Sequence, residues 1–303
     1  MKKKLVDIHA QYIPKKTSIK EYLYYAESNN FSSIILTPAC VEGEEPEKAK
    51  FLYWIQRRLL SFNITRYFVK LISQSFYNKN NELNIFWKLF TRHNKKFDKI
   101  IIPNNEDLLK DISNFKNLKM WLWINPSINK HTDLKYIENL CQNKNVVGLK
   151  FHLYWHNFNP NLIKKYEQIA LSFNLPFYIF LNFDEKILLK TIDDLNDSLK
   201  IIIGYCGFPF FNKIWKKFKN KSNIYYDISS AHIDSYVVSN CLNYVDSKKL
   251  IFGSDCPMFF KDKNGKFDYS LCFERFSKIM SKDQFESIIS SENAEKIIPR
   301  LNY

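Results

Sequence analysis

The chain has 303 residues, of which 46% are hydrophobic and 17% aromatic. This content is enough to bury the core of one large domain or two small ones, and it excludes an intrinsically disordered chain. The formal net charge of +14 comes from lysines scattered along the chain in pairs, which is typical of solvated helix faces and predicts no nucleic-acid binding, because no aromatic and basic motif accompanies them.

The six cysteines occur singly, without a Cys-x-x-Cys pair, so neither a zinc knuckle nor a disulfide framework is indicated. The apolar run after the basic start is too short for a signal peptide, and no run approaches the length that spans a bilayer. We therefore expect a cytoplasmic protein that does not bind a membrane. A homo-oligomer is left open.

Short apolar strands alternate with helical patterns along the chain. Several strands are continuous runs of Ile, Val, Leu, Phe and Tyr, as expected for strands buried on both faces of a parallel sheet. The predicted strands are residues 5–9, 33–37, 118–124, 146–151, 177–181, 200–205, 223–227 and 250–253. The predicted helices that lie between them are residues 133–142, 161–172, 185–195, 210–219 and 233–242.

The segment between the second and third predicted strands is too long for a loop. Its pattern predicts helices rich in Trp and Phe at residues 47–61, 65–77 and 82–96, and a short return strand at 100–102. We interpret residues 42–97 as a helical insertion above the carboxyl ends of the strands. Residues 1–303 are thus predicted to form a single domain that carries this insertion.

Eight strands alternating with helices over about 300 residues favour a (β/α)8 TIM barrel, because right-handed crossovers close into a barrel at that number. A doubly wound open sheet is the alternative. In a barrel, the first and last strands are neighbours, so the histidine that ends the first strand and the aspartate after the last would face each other at one mouth. These residues are His9 and Asp255.

Polar side chains also mark the fourth strand, where Lys150 and His152 lie at its carboxyl end. A neutral imidazole and a carboxylate that converge can bind a divalent metal or act as an acid and base pair. The alternative for each residue is scaffolding, since strand-end histidines are often simply hydrogen-bonded and an aspartate can cap its own turn. His131, by contrast, is expected at the surface.

These residues resemble the amidohydrolase-related barrels, which include carboxymuconate-semialdehyde decarboxylase and pyronedicarboxylate lactonase. The opening segment is similar to the family's Asp-x-His-x-His, the fourth strand to Gly-x-Lys-x-His and the eighth to Gly-Ser-Asp followed by Pro. The stretches that carry the resemblance are residues 7–11, 121–126, 147–152, 223–229, 253–257 and 292–297.

The family's metal ligands are mostly absent from this chain. Gln11 stands at the second metal histidine, Phe180 at the histidine of the fifth strand and Tyr205 at that of the sixth. The resemblance leaves His9, Asp255 and a weak Gln11 as candidate ligands, so we expect either no cofactor or a single divalent metal, zinc or manganese, at a degenerate site. Carboxylation of Lys150, as in some barrel hydrolases, is left open.

The resemblance to the lactonase, which works without a metal, implies a hydrolase that acts on a small anionic carbonyl, ester or lactone substrate. Asp255 would activate water, with His9 and His152 orienting it or polarising a carbonyl. The same interpretation predicts that Lys150, Tyr205 and Trp155 bind the substrate. Two alternatives stay open, namely a metal-dependent decarboxylase and a catalytically degenerate barrel that binds a ligand or partner. The decarboxylase would convert its ligand into a product, whereas the degenerate barrel would only bind it.

Overall fold

The structure is a computed structural model that describes residues 4–14, 16–38, 40–41, 102–156, 158–181, 185–207, 211–229, 235–258 and 260–302. The chain divides into two compact units, one made of Met1–Ala39 with Pro103–Tyr303 and the other of Cys40–Ile102. The predicted insertion at residues 42–97 lies outside the described residues and stays a prediction. The first unit is described below.

Eight parallel strands form one sheet whose spatial order follows the order of the chain. The sheet closes because the last strand returns to the first: the Ile8 amide donates to the Phe252 carbonyl at 3.1 Å, and the Gln11 amide to the Cys256 carbonyl at 2.7 Å. The predicted (β/α)8 barrel is confirmed. Its strands are β1 Leu5–Tyr12, β2 Phe31–Pro38, β3 Leu118–Ile124, β4 Val146–His152, β5 Phe177–Phe180, β6 Ile201–Ile203, β7 Ile224–Asp227 and β8 Leu250–Ile251.

Helices follow the strands and cover the outside of the barrel. The first, Ile19–Ser28, begins with a capping box in which the Ser18 hydroxyl accepts from the Glu21 amide and the Glu21 carboxylate accepts from the Ser18 amide. No helix among the described residues is both long and apolar enough to cross a bilayer. The other α-helices are Asn105–Ile112, Asn129–Thr132, Leu134–Cys141, Leu153–His156, Glu167–Ser172, Glu185–Asp193, Phe211–Lys217, Ser235–Tyr244, Tyr269–Ser277, Lys282–Ile289 and Ser291–Ile297.

The helix predicted at residues 161–172 has two parts. It begins as the 3-10 helix Pro160–Tyr166 and continues as the α-helix Glu167–Ser172. Pro160 occupies the first helical position, where its fixed φ is favourable and its missing N–H is not needed. The Asn159 side chain caps this end by accepting from the Asn161 amide. The other 3-10 segments are Gly204–Gly207, Ser247–Lys249 and Pro299–Asn302.

The interior of the barrel is filled by apolar side chains from alternate strand positions. Trp121 is the largest of them, and Gly148 on the neighbouring strand makes room for it, since a Cβ at Gly148 would lie 2.2 Å from the Trp121 ring. The Trp121 indole N–H donates to the Ile8 carbonyl at 2.7 Å and so ties β3 to β1. Ala294 and Ile297 of the last α-helix join this cluster.

His131 is buried, so the expectation that it lies at the surface is wrong. Only 2% of its surface is exposed, because the helix Asn129–Thr132 turns back against the end of β3. Its Nδ1 accepts a hydrogen bond from the Asn125 amide at 3.0 Å. Burial lowers the pKa of His131 to about 4, and the charge of Lys130 adds to this shift, so the ring is neutral at pH 7.

Candidate active site

His9 and Asp255 lie side by side at the carboxyl ends of β1 and β8. The Asp255 amide donates to the His9 carbonyl at 2.7 Å, and His9 Nε2 is 3.8 Å from Asp255 Oδ1. Asp255 has φ 56°, a left-handed conformation that aspartate tolerates better than most residues. The turn after β8 thus places this carboxylate beside His9 of β1.

Two polar side chains hold the Asp255 carboxylate. The Gln11 amide donates to Oδ1 at 2.5 Å, and the Tyr205 hydroxyl donates to Oδ2 at 3.3 Å. Tyr205 also has a positive φ, 50°, in the turn that follows β6. Asp255 and His9 are 2% and 1% exposed, whereas Gln11 and Tyr205 are half-buried. The Gln11 amide and the Tyr205 phenol thus form the exposed side of the His9 and Asp255 pair.

Lys150 reaches the same point from β4. Its Nζ lies 3.2 Å from His9 Nε2 and donates to Thr37 Oγ1 at 3.0 Å. Aromatic rings surround the ammonium, with centroids 4.4 Å away for Phe180 and 5.2 Å for Tyr178. Each ring face attracts a cation, and the attraction grows when the cation is desolvated. Lys150 is 2% exposed, so its charge acts in a medium of low polarity.

The other nitrogen of His9 faces a buried carboxylate through a hydroxyl. His9 Nδ1 is 2.6 Å from Ser229 Oγ, and that hydroxyl donates to Asp227 Oδ2 at 2.5 Å. Tyr178 donates to the same oxygen at 2.6 Å. Burial by itself raises the pKa of Asp227, but His9, Ser229 and Tyr178 together lower it below its ordinary value. His9 thus contacts Ser229 and Asp227 through Nδ1 and Lys150 through Nε2.

Space around this chain of contacts is tight. A Cβ added to Gly253 would lie 2.7 Å from the His9 Cβ and 2.8 Å from Asp227 Oδ1. The buried carboxylate of Asp7 holds the turn that carries Asp255. It accepts hydrogen bonds from the amide and the hydroxyl of Ser254 at 3.0 and 2.5 Å. Burial raises the pKa of Asp7. These contacts fix the position of the turn that carries Asp255.

His152, predicted to act with His9, lies on the far side of an aromatic ring from it. Its imidazole stacks on Phe180 with a centroid distance of 4.6 Å, and Phe180 also contacts the His9 ring at 5.2 Å. Burial lowers the pKa of His152 well below its ordinary value, and the charges of Lys150 and the neighbouring histidines act in the same direction. Trp155 belongs to the helix Leu153–His156, and its side chain lies outside those described.

Three buried nitrogen atoms beside this stack have no hydrogen-bond partner among the residues that the structure describes. They are Trp123 Nε1 and both ring nitrogens of His156. The two rings stack with a centroid distance of 5.2 Å, and the Trp123 ring is 5.4 Å from Lys150 Nζ. Burial lowers the pKa of His156 to about 3, so its ring is neutral at pH 7. Buried donors without partners are rare in proteins, and these lie where a ligand could use them.

The candidate metal ligands do not fit a metal ion. Within the part of the chain that the structure describes, no group of three His, Cys, Asp or Glu side chains is placed to hold one. His9 Nε2 is already in contact with the Lys150 ammonium, and Asp255 Oδ1 accepts from the Gln11 amide. Lys150 and Gln11 thus already contact the imidazole nitrogen of His9 and the carboxylate oxygen of Asp255 that would bind a metal.

Several residues of this site were not expected from the sequence. Asp227 is the last residue of β7 and Ser229 comes two residues later, so the rule that selected Asp255, a polar residue at the carboxyl end of a strand, applies to them as well. Thr37 at the end of β2 has the same signal. Trp123 and Tyr178 carry no such signal, because buried aromatic residues in a strand usually indicate core.

Comparisons with known proteins identify the fold. No family model matches the sequence, and no curated protein matches it either. Solved structures do match over nearly the whole chain, at low sequence identity. One, described as a probable 2-pyrone-4,6-dicarboxylic acid hydrolase from Acinetobacter baumannii with citric acid bound, has a TM-score of 0.60 and 14% identity, with 97% of this chain and 99% of that chain covered.

Two other matches carry out different reactions according to their names. A 4-oxalomesaconate hydratase from Rhodopseudomonas palustris has a TM-score of 0.55 and 12% identity, covering 98% of this chain and 96% of its own. A 5-carboxyvanillate decarboxylase from Sphingomonas paucimobilis has a TM-score of 0.53 and 10% identity, covering 93% and 84%. The chain therefore has the TIM-barrel fold of the amidohydrolase-type proteins, and the resemblance expected from its motifs is confirmed at the level of the fold.

Proposed function

We propose that this barrel is a hydrolase that acts on a small anionic carbonyl, ester or lactone substrate. The observation that carries the proposal is the contact between His9 and Asp255, with Lys150 against the same imidazole. A carboxylate that can accept a proton and a cation that can hold an oxygen lie within one cluster at the carboxyl ends of the strands, where barrel enzymes carry out their chemistry.

In the proposed reaction, a water molecule attacks the carbonyl carbon of the ester or lactone and gives one proton to Asp255. The bond from that carbon to the alkoxy oxygen then breaks, and the leaving oxygen takes the proton from Asp255. The substrate oxygen that gains negative charge is held by the Lys150 ammonium and the Tyr205 hydroxyl. Tyr205 can turn to a ligand because its bond to Asp255 Oδ2 is long, at 3.3 Å. Contacts with His9 Nε2 and Thr37 Oγ1 orient the ammonium. General base catalysis contributes about 100- to 10,000-fold, and positioning supplies the rest.

Two observations support an anionic substrate. The names of the matching barrels refer to a pyrone dicarboxylic acid, an oxalomesaconate and a carboxyvanillate, and all three compounds carry carboxylates. In this chain, the partnerless indole N–H of Trp123 and the ring of His156 lie beside Lys150. Two N–H donors next to a cation suit a carboxylate of the substrate that is remote from the bond being broken.

A panel of lactones and activated esters, each with and without an added carboxylate, tests this proposal on the full chain. We expect hydrolysis of the carboxylated members and a loss in kcat/KM of at least about 100-fold in Asp255→Asn. Asp197→Asn is the matched control, because this carboxylate is 77% exposed. Equal rates in wild type and Asp255→Asn would remove Asp255 from the mechanism. Carbon dioxide release from an aromatic or unsaturated acid would favour a decarboxylase instead.

The second candidate is a barrel that binds a carboxylated ligand without turning it over. Two features favour it: aromatic residues stand at the histidine positions of the fifth and sixth strands, and Asp255 is 2% exposed with both oxygens engaged. The same panel separates the two candidates. Calorimetric binding of a carboxylated compound, with no turnover and with equal affinity in Asp255→Asn, would support the binding protein.

A further inference from the structure

We propose that Lys150 is the resident cation of this site and that its ammonium excludes a divalent metal from it. The inference concerns the same cluster as the proposed hydrolysis but does not depend on turnover. Its basis is that Lys150 contacts His9 Nε2 and the ring of Phe180, while Gln11 and Tyr205 donate to the two oxygens of Asp255.

His9 is the first of these. One of its nitrogens, Nδ1, is held by Ser229 at 2.6 Å, so only Nε2 is left to bind a metal. That nitrogen is 3.2 Å from Lys150 Nζ, within hydrogen-bonding distance. A doubly charged ion at Nε2 would have to displace a unit positive charge or share its surroundings, and repulsion between like charges is strong in a buried site.

The lysine is also fixed in place. Thr37 accepts a hydrogen bond from Nζ at 3.0 Å, which anchors the ammonium on the side of β2. The rings of Phe180, Tyr178 and Trp123 surround it with centroids 4.4, 5.2 and 5.4 Å from Nζ. Aromatic faces stabilise an organic cation, and they cannot coordinate a metal. A flexible surface lysine could swing away from an incoming ion, but this one is 2% exposed.

The substitutions at the missing metal ligands are consistent with this arrangement. Phe180, which replaces the histidine expected on the fifth strand, presents the ring closest to the ammonium. Tyr205, which replaces that of the sixth, donates to Asp255 Oδ2, and Gln11 on the first strand donates to Oδ1. Phe180 thus supplies an aromatic face for the Lys150 ammonium, and Tyr205 and Gln11 supply hydrogen-bond donors for the Asp255 carboxylate. A metal site would require atoms that offer lone pairs at these positions.

Zinc binding tests the proposal without reference to activity. We compare wild type, Gln11→His and the double variant Gln11→His/Lys150→Leu by calorimetric titration with zinc chloride, after a thermal melt confirms that each is folded. Gln11→His supplies a third ligand beside His9 and Asp255, the number that a zinc site takes from the protein when one position stays open. Lys119→Leu combined with Gln11→His is the matched control, because Lys119 is a lysine that is 3% exposed, on β3, whose Nζ faces the Lys144 carbonyl.

We expect no stoichiometric zinc in wild type, in Gln11→His or in the control pair, and one zinc per chain in Gln11→His/Lys150→Leu, with a dissociation constant lower by at least about 100-fold. Equally tight zinc binding in Gln11→His with Lys150 intact would overturn the proposal, and so would a double variant that binds no zinc. Stoichiometric zinc in wild type would overturn it even if every variant failed to fold. None of these results depends on hydrolysis, so this proposal and the proposed function can fail separately.

Discussion

Asp227 and His9 are joined through a single hydroxyl group, which lies 2.5 Å from the carboxylate and 2.6 Å from the imidazole. That hydroxyl belongs to Ser229, and the direct distance between His9 Nδ1 and Asp227 Oδ2 is 3.5 Å. The carboxylate therefore orients the imidazole through the serine. His9 is held from the inside of the barrel while its other nitrogen faces Lys150 and Asp255.

Removing this hydroxyl should affect activity as well as stability. We expect Ser229→Ala to lower the free energy of unfolding by about 1–3 kcal/mol, since His9 and Asp227 each lose a buried hydrogen bond. It should also lower kcat/KM on the substrate found by the lactone and ester panel. Urea unfolding and steady-state kinetics measure the two effects.

Thr191→Ala is the control for this experiment. Its hydroxyl is also buried and donates to Asn161 Oδ1 at 2.9 Å, but it lies on the helix Glu185–Asp193, outside the site. Similar losses of stability with activity lost only in Ser229→Ala would support the orienting role. Equal losses of activity in the two variants would reduce that role to packing.

The two tryptophans of β3 give a matched pair for ligand binding. Trp121 Nε1 donates to the Ile8 carbonyl at 2.7 Å, whereas Trp123 Nε1 is buried with no partner in the described part of the chain. We expect Trp121→Phe to cost about 1–3 kcal/mol more in unfolding free energy than Trp123→Phe. Trp123→Phe should instead weaken binding of a carboxylated ligand by about 10-fold, because it removes one donor. Thermal unfolding and calorimetric titration of both variants would reveal the reverse order if the prediction is wrong.

Acid should destabilise the protein through His131. Its pKa falls from 6.5 in the unfolded chain to about 4 in the folded state, so the unfolded state binds the proton first. The stabilising contribution is present above pH 6.5 and is lost as the pH falls towards 4. Between pH 7 and pH 5 it should shrink by about 2 kcal/mol.

His131→Asn isolates this contribution, because the asparagine oxygen can accept from the Asn125 amide in place of Nδ1. The measurement is the free energy of unfolding of both proteins in urea at pH 7, 6 and 5. The difference, wild type minus variant, should fall with decreasing pH. A difference that stays constant would show that His131 does not titrate between the folded and unfolded states in this range.

The barrel could be predicted because its strands carry a strong signal. Residues 120–124 are a continuous apolar run, and β3 has the predicted bounds, Leu118–Ile124. The prediction for residues 200–205 ran past the end of β6 at Ile203, since Tyr205 and Cys206 adopt positive φ. Neither tyrosine nor cysteine is a residue type that predicts a positive φ. The pairing of first and last strands then brought His9 and Asp255 together from topology alone.

The rest of the site depends on where long side chains point, which the sequence does not fix. Lys150 could have reached solvent, but packing among Phe180, Tyr178 and Trp123 directs its ammonium to His9. The rule that selected Asp255, a polar residue at the carboxyl end of a strand, could also have predicted that Asp227 lies near His9. It could not have predicted the stacking of His152 on Phe180, because that contact depends on rotamers set by neighbouring strands.

A double-variant cycle shows whether His9 and Asp255 act as one catalytic unit. The measurement is kcat/KM for wild type, His9→Gln, Asp255→Asn and the double variant on one carboxylated lactone. We expect the double variant to lose about as much activity as the more damaging single variant, since residues that act as a unit are strongly non-additive. Losses that multiply, or no loss in either single variant, would contradict it.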